Sequence, residues 1–180
     1  MTAKEAKVEV LYSSGDIAKR NSEIAEEIAR DMGTDLLVIA VLKGSFVFAA
    51  DLIRALHHAG VRPQIDFMAL SSYGDKTISS GTVVITRDIV DTVKGRRVLL
   101  IDDILESGRT MEFATRELLD RGASMVKTCL MLDKKGKRLV DFEADFVGFD
   151  CPDLFVIGYG LDYAHYYREL PYIGHIVKEE

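Results

Sequence analysis

The chain has 180 residues, 48% of them hydrophobic and 29% charged, with a formal net charge of −6. That length and composition read as one domain with a core large enough to fold without staples, and the acidic balance argues against wrapping nucleic acid by phosphate neutralisation. No segment approaches the roughly 18 consecutive apolar residues of a membrane span, and the start MTAKEAKVEV has no apolar signal core, so the chain reads as cytoplasmic with neither membrane nor nucleic acid as partner.

Ile17, Ile24, Ile28 and Met32 recur with near-helical spacing and predict a first helix that ends at Gly33. LLVIAV (36–41) is a continuous apolar run, as expected of a strand buried on both faces. Lys43-Gly44-Ser45 interrupts the pattern. The next stretch, FVFAADLIRALHHAG, carries a helical stripe of Phe46, Ala49, Ala50, Ile53 and Leu56 and closes at Gly60. IDFMAL (65–70), TVVITRD (82–88) and RRVLLI (96–101) read as strands, followed by a helix over about residues 109–121 that Gly122 stops. SMVKTCLML reads as a further strand, and FVGFD and LFVIGYG as two short ones.

Strands alternating with helices imply right-handed crossovers and an α/β fold, a mostly parallel twisted sheet flanked by helices. The alternation breaks in the last 40 or so residues, which predicts one domain over 1–180 with a small C-terminal hood formed mainly by about 133–180. Cys129 and Cys151 lack any metal or redox spacing and read as buried thiols. His57, His58, His165 and His175 show no ligand pattern.

The most informative stretch is VLLIDDILESGRTM, residues 98–111. In an open parallel sheet, ligands sit beyond the carboxyl ends of the strands. Asp102 and Asp103 fall at such an end, and Glu106-Ser107-Gly108-Arg109-Thr110 then enters a helix whose free amides favour an anion. Gly108 leaves room for close approach, and Ser107 and Thr110 offer hydroxyl donors. GxxxxGK[ST] is absent, so the cradle suits one monophosphate rather than a nucleoside triphosphate. The same residues could serve as ordinary helix caps. Two adjacent acids after a buried run need partners, however. Sugar hydroxyls beside a phosphate, or magnesium, would supply them.

This stretch resembles the phosphoribosyl-pyrophosphate signature of the type I phosphoribosyltransferases. Three more narrow the resemblance to the hypoxanthine-guanine (6-oxopurine) branch: VLKGSFVFAADL (41–52), like its pyrophosphate loop; SSYGDKTISSG (71–81), like its mobile catalytic loop; and DFVGFDCPDLFVIGYGLDYAHYYRELPYI (145–173), like its purine-binding hood and metal-binding tail. The similarity runs from about residue 8 to the end.

The resemblance implies roles position by position. Asp102 and Asp103 would contact the ribose hydroxyls and influence a magnesium shell through water, and Ser107, Gly108, Arg109 and Thr110 would hold the 5′-phosphate, Arg109 by its backbone. Lys43 and Gly44 would approach the pyrophosphate through the backbone, after a cis Leu42–Lys43 bond. Ser72 and Tyr73 would fold over the pyrophosphate. Lys134 would recognise the purine 6-oxygen, Phe155 would stack on the base and Val156 would contact the ring through its backbone. By composition alone, Phe155 in LFVIGYG reads as core. Asp162 would bind Mg2+ directly, Arg168 would pair with pyrophosphate, and Arg138 is a further cation near the site. Relatives are dimers or tetramers, so the resemblance implies a homodimer or homotetramer.

In one place the chain departs from the branch pattern: most relatives have aspartate at the position of Glu106, the carboxylate that assists proton removal from purine nitrogen 7. Glutamate keeps the acid and adds a methylene. The resemblance implies purine salvage, with ribose 5-phosphate passing from phosphoribosyl pyrophosphate to hypoxanthine or guanine. The alternatives are a xanthine-preferring relative and a non-catalytic regulator of the same fold.

Overall fold

The structure, a computed structural model, describes residues 7–73 and 82–177. In chain order the elements are β1 (Lys7–Tyr12), α1 (Ser14–Met32), β2 (Leu37–Leu42), α2 (Phe46–His58), β3 (Gln64–Tyr73), β4 (Thr82–Arg87), β5 (Arg97–Leu105), α3 (Arg109–Asp120), β6 (Met125–Asp133), a 3-10 turn at Lys135–Lys137, β7 (Phe146–Asp150), β8 (Val156–Ile157) and β9 (Ile173–Val177). Six strands form a central sheet in the order β4-β3-β2-β5-β6-β7. All neighbours in it pair in parallel except the β3–β4 edge. The α/β expectation therefore holds, with a single antiparallel strand at one edge.

The sheet buries both faces, and the period of two along each strand sorts the side chains. Val38, Ala40, Leu99 and Ile101 pack with Ile24, Ile28, Phe48 and Leu52 on the face covered by α1 and α2. Leu37, Ile39, Val98 and Leu100 pack with Met111, Ala114 and Leu118 of α3 on the other. Each fully buried Val, Leu, Ile, Met or Phe among these contributes about 1.5–3 kcal/mol relative to an exposed one. The face of α2 differs from the expected stripe: Phe48, Ala49, Leu52 and Leu56 are buried, whereas Phe46 and Ala50 are exposed. The apolar residues of this helix surround most of its circumference, so their spacing alone leaves the inward direction ambiguous.

A second sheet, β1-β9-β8, is antiparallel. It joins the N-terminal strand, which the sequence reading passed over, to the last one. The residues from 133 on divide between the two sheets, since β7 extends the central sheet by pairing with β6. LFVIGYG is strand only at Val156–Ile157. Gly158, Tyr159 and Gly160 then take φ values of +90°, +51° and +100°, which turn the chain back on itself.

A cleft at the carboxyl ends of the strands

β5 runs four residues past its predicted end, so Asp102 and Asp103 lie within the strand. Successive strand residues point to opposite faces. Asp102 accordingly lines a cavity of about 180 Å3 with Glu106, Ser107, Gly108 and Thr110, on the α3 side. Asp103 points the other way, against the Gly44 backbone, where a Cβ would overlap its Oδ2. The two acids are thus divided between neighbouring parts of the cleft. Desolvation pushes the Asp102 carboxyl well above the ordinary carboxylate range, and the charge of Asp103 adds to this. Asp103 is also raised by desolvation, with the Arg168 charge acting in the opposite direction. Half-buried acids held this way call for a cation or hydroxyl partner.

The cavity ends on the start of α3. Gly108 caps that helix with φ +84° and no side-chain hydrogen bond, which leaves first-turn amides directed at the cavity. Beside the close approach expected from sequence, the local geometry itself calls for glycine here. Its positive φ requires it, and an added Cβ would meet Val140 Cγ2 at 2.8 Å and Arg138 Cδ at 3.1 Å. Ser107 and Thr110 line the cavity; the Ser107 hydroxyl also accepts a long, 3.4 Å hydrogen bond from the Arg109 amide.

On one side of this cradle lies an ionic cluster. Lys134 is 5% exposed, and its Nζ donates to Glu106 Oε1 at 3.0 Å and the Leu154 carbonyl at 3.0 Å, with Asp153 Oδ1 at 3.2 Å. Burial pulls its pKa down, but hydrogen bonds to Glu106 and Asp153 outweigh it and hold the ammonium above its ordinary value. These three partners match the three donors of an ammonium group. Phe155 follows Leu154 directly. Contrary to its compositional reading as core it is 57% exposed, with its ring edge-on to Tyr163 at 5.6 Å. Val156 is buried in β8.

On the other side, the turn after β2 carries the cis Leu42–Lys43 bond. Lys43 is exposed, and Gly44 sits between Asp103 and Gly160. A Cβ on Gly160 would overlap the Gly44 carbonyl oxygen. The Gly44 backbone is therefore packed between the Asp103 carboxylate and the Gly160 backbone. Arg168 Nη1 donates to the Gly160 carbonyl at 2.6 Å, and its Nη2 lies 2.7 Å from Asp162 Oδ1. Asp162 Oδ2 accepts the His165 amide at 2.8 Å. Ser72 and Tyr73 end β3, paired with Val83 and Thr82; their side chains, and residues 74–81 of the expected mobile loop, lie outside the described residues.

The chemistry available for a metal is oxygen only. Among the described residues no cluster of three or more His, Cys, Asp or Glu could hold an ion. A single oriented carboxylate, Asp162, beside an acid pair suits Mg2+, which takes few protein ligands and completes its shell with substrate oxygens and water. A larger cavity of about 550 Å3, lined by Phe46, Val47, Tyr159 and Leu170, shares only Arg168 with this cleft.

Sequence reasoning missed three contributors. Gly160 has a signal in GYG, but its partner Gly44 is 116 residues away. Asp133 pairs behind the cradle with Arg138, the further cation the sequence placed near the site, in a stretch, LDKKGKR, where no spacing marks the acid as its partner. Asp153 adds the third contact to Lys134.

Comparison with known proteins gives a consistent result. The family described as the phosphoribosyl transferase domain matches residues 7–164. The chain is 44% identical over 167 residues to a hypoxanthine-guanine phosphoribosyltransferase of Aquifex aeolicus (strain VF5), covering 92% of each chain. It is 46% identical over 166 residues to one of Bacillus subtilis (strain 168), covering 92% of this chain and 91% of the relative. A solved hypoxanthine phosphoribosyltransferase from Staphylococcus aureus superposes with a TM-score of 0.89 at 39% identity, covering 97% of this chain and 93% of that one. The Trypanosoma cruzi hypoxanthine phosphoribosyl transferase superposes with a TM-score of 0.91 at 38% identity, covering 96% and 93%.

Proposed function

This chain belongs to the phosphoribosyl transferase domain family, and from that premise we infer that it is a purine-salvage enzyme. It transfers ribose 5-phosphate from phosphoribosyl pyrophosphate to hypoxanthine or guanine, releasing pyrophosphate and a purine nucleoside monophosphate. The observation that carries this reading is the cluster of Lys134, Glu106 and Phe155 at the edge of the phosphate cradle. On this reading Lys134 selects the base, Glu106 accepts the proton and Phe155 stacks on the ring beside the phosphosugar.

The 5′-phosphate occupies the start of α3 between Ser107 and Thr110, where uncapped amides and the helix dipole favour an anion. Asp102 faces the same cavity and takes ribose hydroxyls. Lys43, Gly44 and Arg168 receive the departing pyrophosphate, and Ser72 and Tyr73 belong to the lid that excludes water from an oxocarbenium-like transition state. Asp162 would hold Mg2+, with Asp102 and Asp103 contributing through water, and the bound cation would supply neutralisation of the pyrophosphate charge.

Lys134 selects a 6-oxopurine because an ammonium group can donate to a carbonyl but repels the amino group of adenine. All three of its donors are already engaged. An incoming oxygen must displace one partner, and the Glu106 side chain, 47% exposed, has the freedom to leave. Base binding thus releases Glu106 to take the proton from nitrogen 7 while nitrogen 9 attacks the sugar. The added methylene of glutamate lets one side chain span both positions.

A spectrophotometric assay with hypoxanthine, guanine, xanthine and adenine, each with phosphoribosyl pyrophosphate and magnesium, tests the reading. Turnover of hypoxanthine or guanine is expected. Preference for xanthine, or no turnover of any base, would overturn it.

A further inference from the structure

Three consecutive carbonyls of the phosphate cradle point away from the cavity, and all three are held there by one segment. The Leu105 carbonyl accepts the Lys134 amide at 2.9 Å and Arg138 Nη1 at 3.2 Å. The Glu106 carbonyl accepts Arg138 Nη1 at 2.6 Å, and the Ser107 carbonyl accepts the Leu139 amide at 2.9 Å. A trans peptide sets its N–H opposite its C=O. Fixing these carbonyls against residues 134–139 therefore turns the amides of Glu106, Ser107 and Gly108 away from that segment, towards the cavity these residues line. Successive amides oriented this way make an anion-binding concavity.

Arg138 holds two of the three carbonyls with one guanidinium nitrogen. Its other terminal nitrogen pairs with Asp133, whose side chain is only 8% exposed. Asp133 ends β6, where it is opposite Leu105 of β5, so the clamp is fixed to the sheet itself. Arg138 Cδ also lies 3.1 Å from where a Gly108 Cβ would be. A planar fork with several donors suits this task; a lysine, with one compact charge, would not span the carbonyls and Asp133 together.

We propose that Arg138, anchored by Asp133, is a positioning residue that aims the amides of the cradle at the substrate's 5′-phosphate. The inference rests on the phosphoribosyltransferase reading. It concerns only the phosphate half of the site, since neither residue hydrogen-bonds Lys134 Nζ or Glu106's carboxylate.

Calorimetric titration of the parent protein, Arg138→Gln, Arg138→Lys and Asp133→Asn with guanosine 5′-monophosphate and with guanosine separates the phosphate contribution from that of the base and sugar. The expected result is a loss of roughly tenfold in monophosphate affinity, about the worth of one or two hydrogen bonds, with guanosine affinity unchanged. Arg138→Lys should fail to restore it. Unchanged monophosphate affinity, equal losses for both ligands, or full rescue by lysine would overturn the proposal. Asp133→Asn, nearly isosteric, decides the matter if Arg138→Gln does not fold. A parent protein that binds the monophosphate no better than guanosine would instead count against the proposed function.

Discussion

Glu106 Oε1 and Lys134 Nζ form a 3.0 Å ion pair that ties the acid after β5 to the cation after β6. The pair joins the two residues assigned to proton transfer and to base choice, so substitutions at either have separable signatures. Glu106→Gln keeps the length and a hydrogen-bond acceptor for Lys134 but cannot accept a proton. It should lower kcat by about 100-fold or more, the usual worth of a general base, with a change of only a few-fold in KM for the base. Glu106→Asp should keep most of kcat. Steady-state kinetics with hypoxanthine at saturating phosphoribosyl pyrophosphate make the comparison; a glutamine variant as fast as the parent removes Glu106 from the mechanism.

Lys134→Gln addresses the other partner. Losing the ammonium leaves Glu106 without its cation, leaves Asp153 with Lys137 alone, and removes the donor to the 6-oxygen. The expected outcome is a fall of about 100-fold in kcat/KM for hypoxanthine and guanine, as when a built polar contact is lost. KM for phosphoribosyl pyrophosphate should stay within a few-fold. Loss confined to the sugar donor would place Lys134 outside the base site.

The main features of the architecture could be read from the chain. Buried strands such as LLVIAV and RRVLLI are continuous apolar runs because helices cover both faces, and the acids at 102 and 103 lie near the carboxyl end of β5 beside the candidate cleft. The unread parts depend on long-range pairing. β1 is a half-exposed strand whose partner, β9, begins at residue 173. The inward face of α2 depends on where Phe48 is buried, which its apolar circumference does not specify. Arg138 differs from its neighbours Lys135 and Lys137 only because Asp133 and two carbonyls converge on it. Gly44 and Gly160 each look like an ordinary loop glycine until they are brought face to face.

That meeting gives a third prediction. Gly44→Ala would drive a methyl group into the Asp103 carboxylate, and Gly160→Ala would press on the Gly44 carbonyl at a φ of +100°. Displacement by about 1 Å of a positioned group costs on the order of 100-fold in rate. Both variants should lose that much kcat/KM for phosphoribosyl pyrophosphate while guanosine affinity changes little, as measured by kinetics and calorimetry. A normal rate in both would mean that the close stacking of these turns has no catalytic consequence.

Away from the cleft, Asp66 links β3 to the connection before β5. Its carboxylate accepts amides of Phe67 at 2.7 Å, Val90 at 2.7 Å and Asp91 at 3.1 Å. Desolvation alone would raise its pKa, but these hydrogen bonds together with Arg87 outweigh it and hold the pKa below 3.8. A folded value below the unfolded one contributes stability that is present above the unfolded pKa and lost as pH falls through the folded one. Asp66→Asn should therefore cost about 1 kcal/mol near neutral pH, and the difference from the parent should shrink below about pH 4. Urea titrations at several pH values test this; a pH-independent difference would rule out the charge as its source.

Asp162 is where a magnesium requirement should be detectable without turnover. Its carboxylate is oriented on both oxygens, by Arg168 at 2.7 Å and by the His165 amide at 2.8 Å. Asn at this position keeps one acceptor but removes the charge that a hard divalent cation prefers. Asp162→Asn should raise the magnesium concentration needed for half-maximal pyrophosphate binding by about tenfold or more, an amount equal to about 1.4 kcal/mol. Binding of guanosine, which needs no metal, should be unaffected. Arg168 loses its partner in the same variant, so Arg168→Lys is the control: it should weaken pyrophosphate binding at every magnesium concentration without shifting the midpoint. Identical midpoints in parent and Asp162→Asn would assign the metal to other ligands, with the acid pair of β5 as the next candidates because Asp102 lines the neighbouring cavity and Asp103 lies against Gly44.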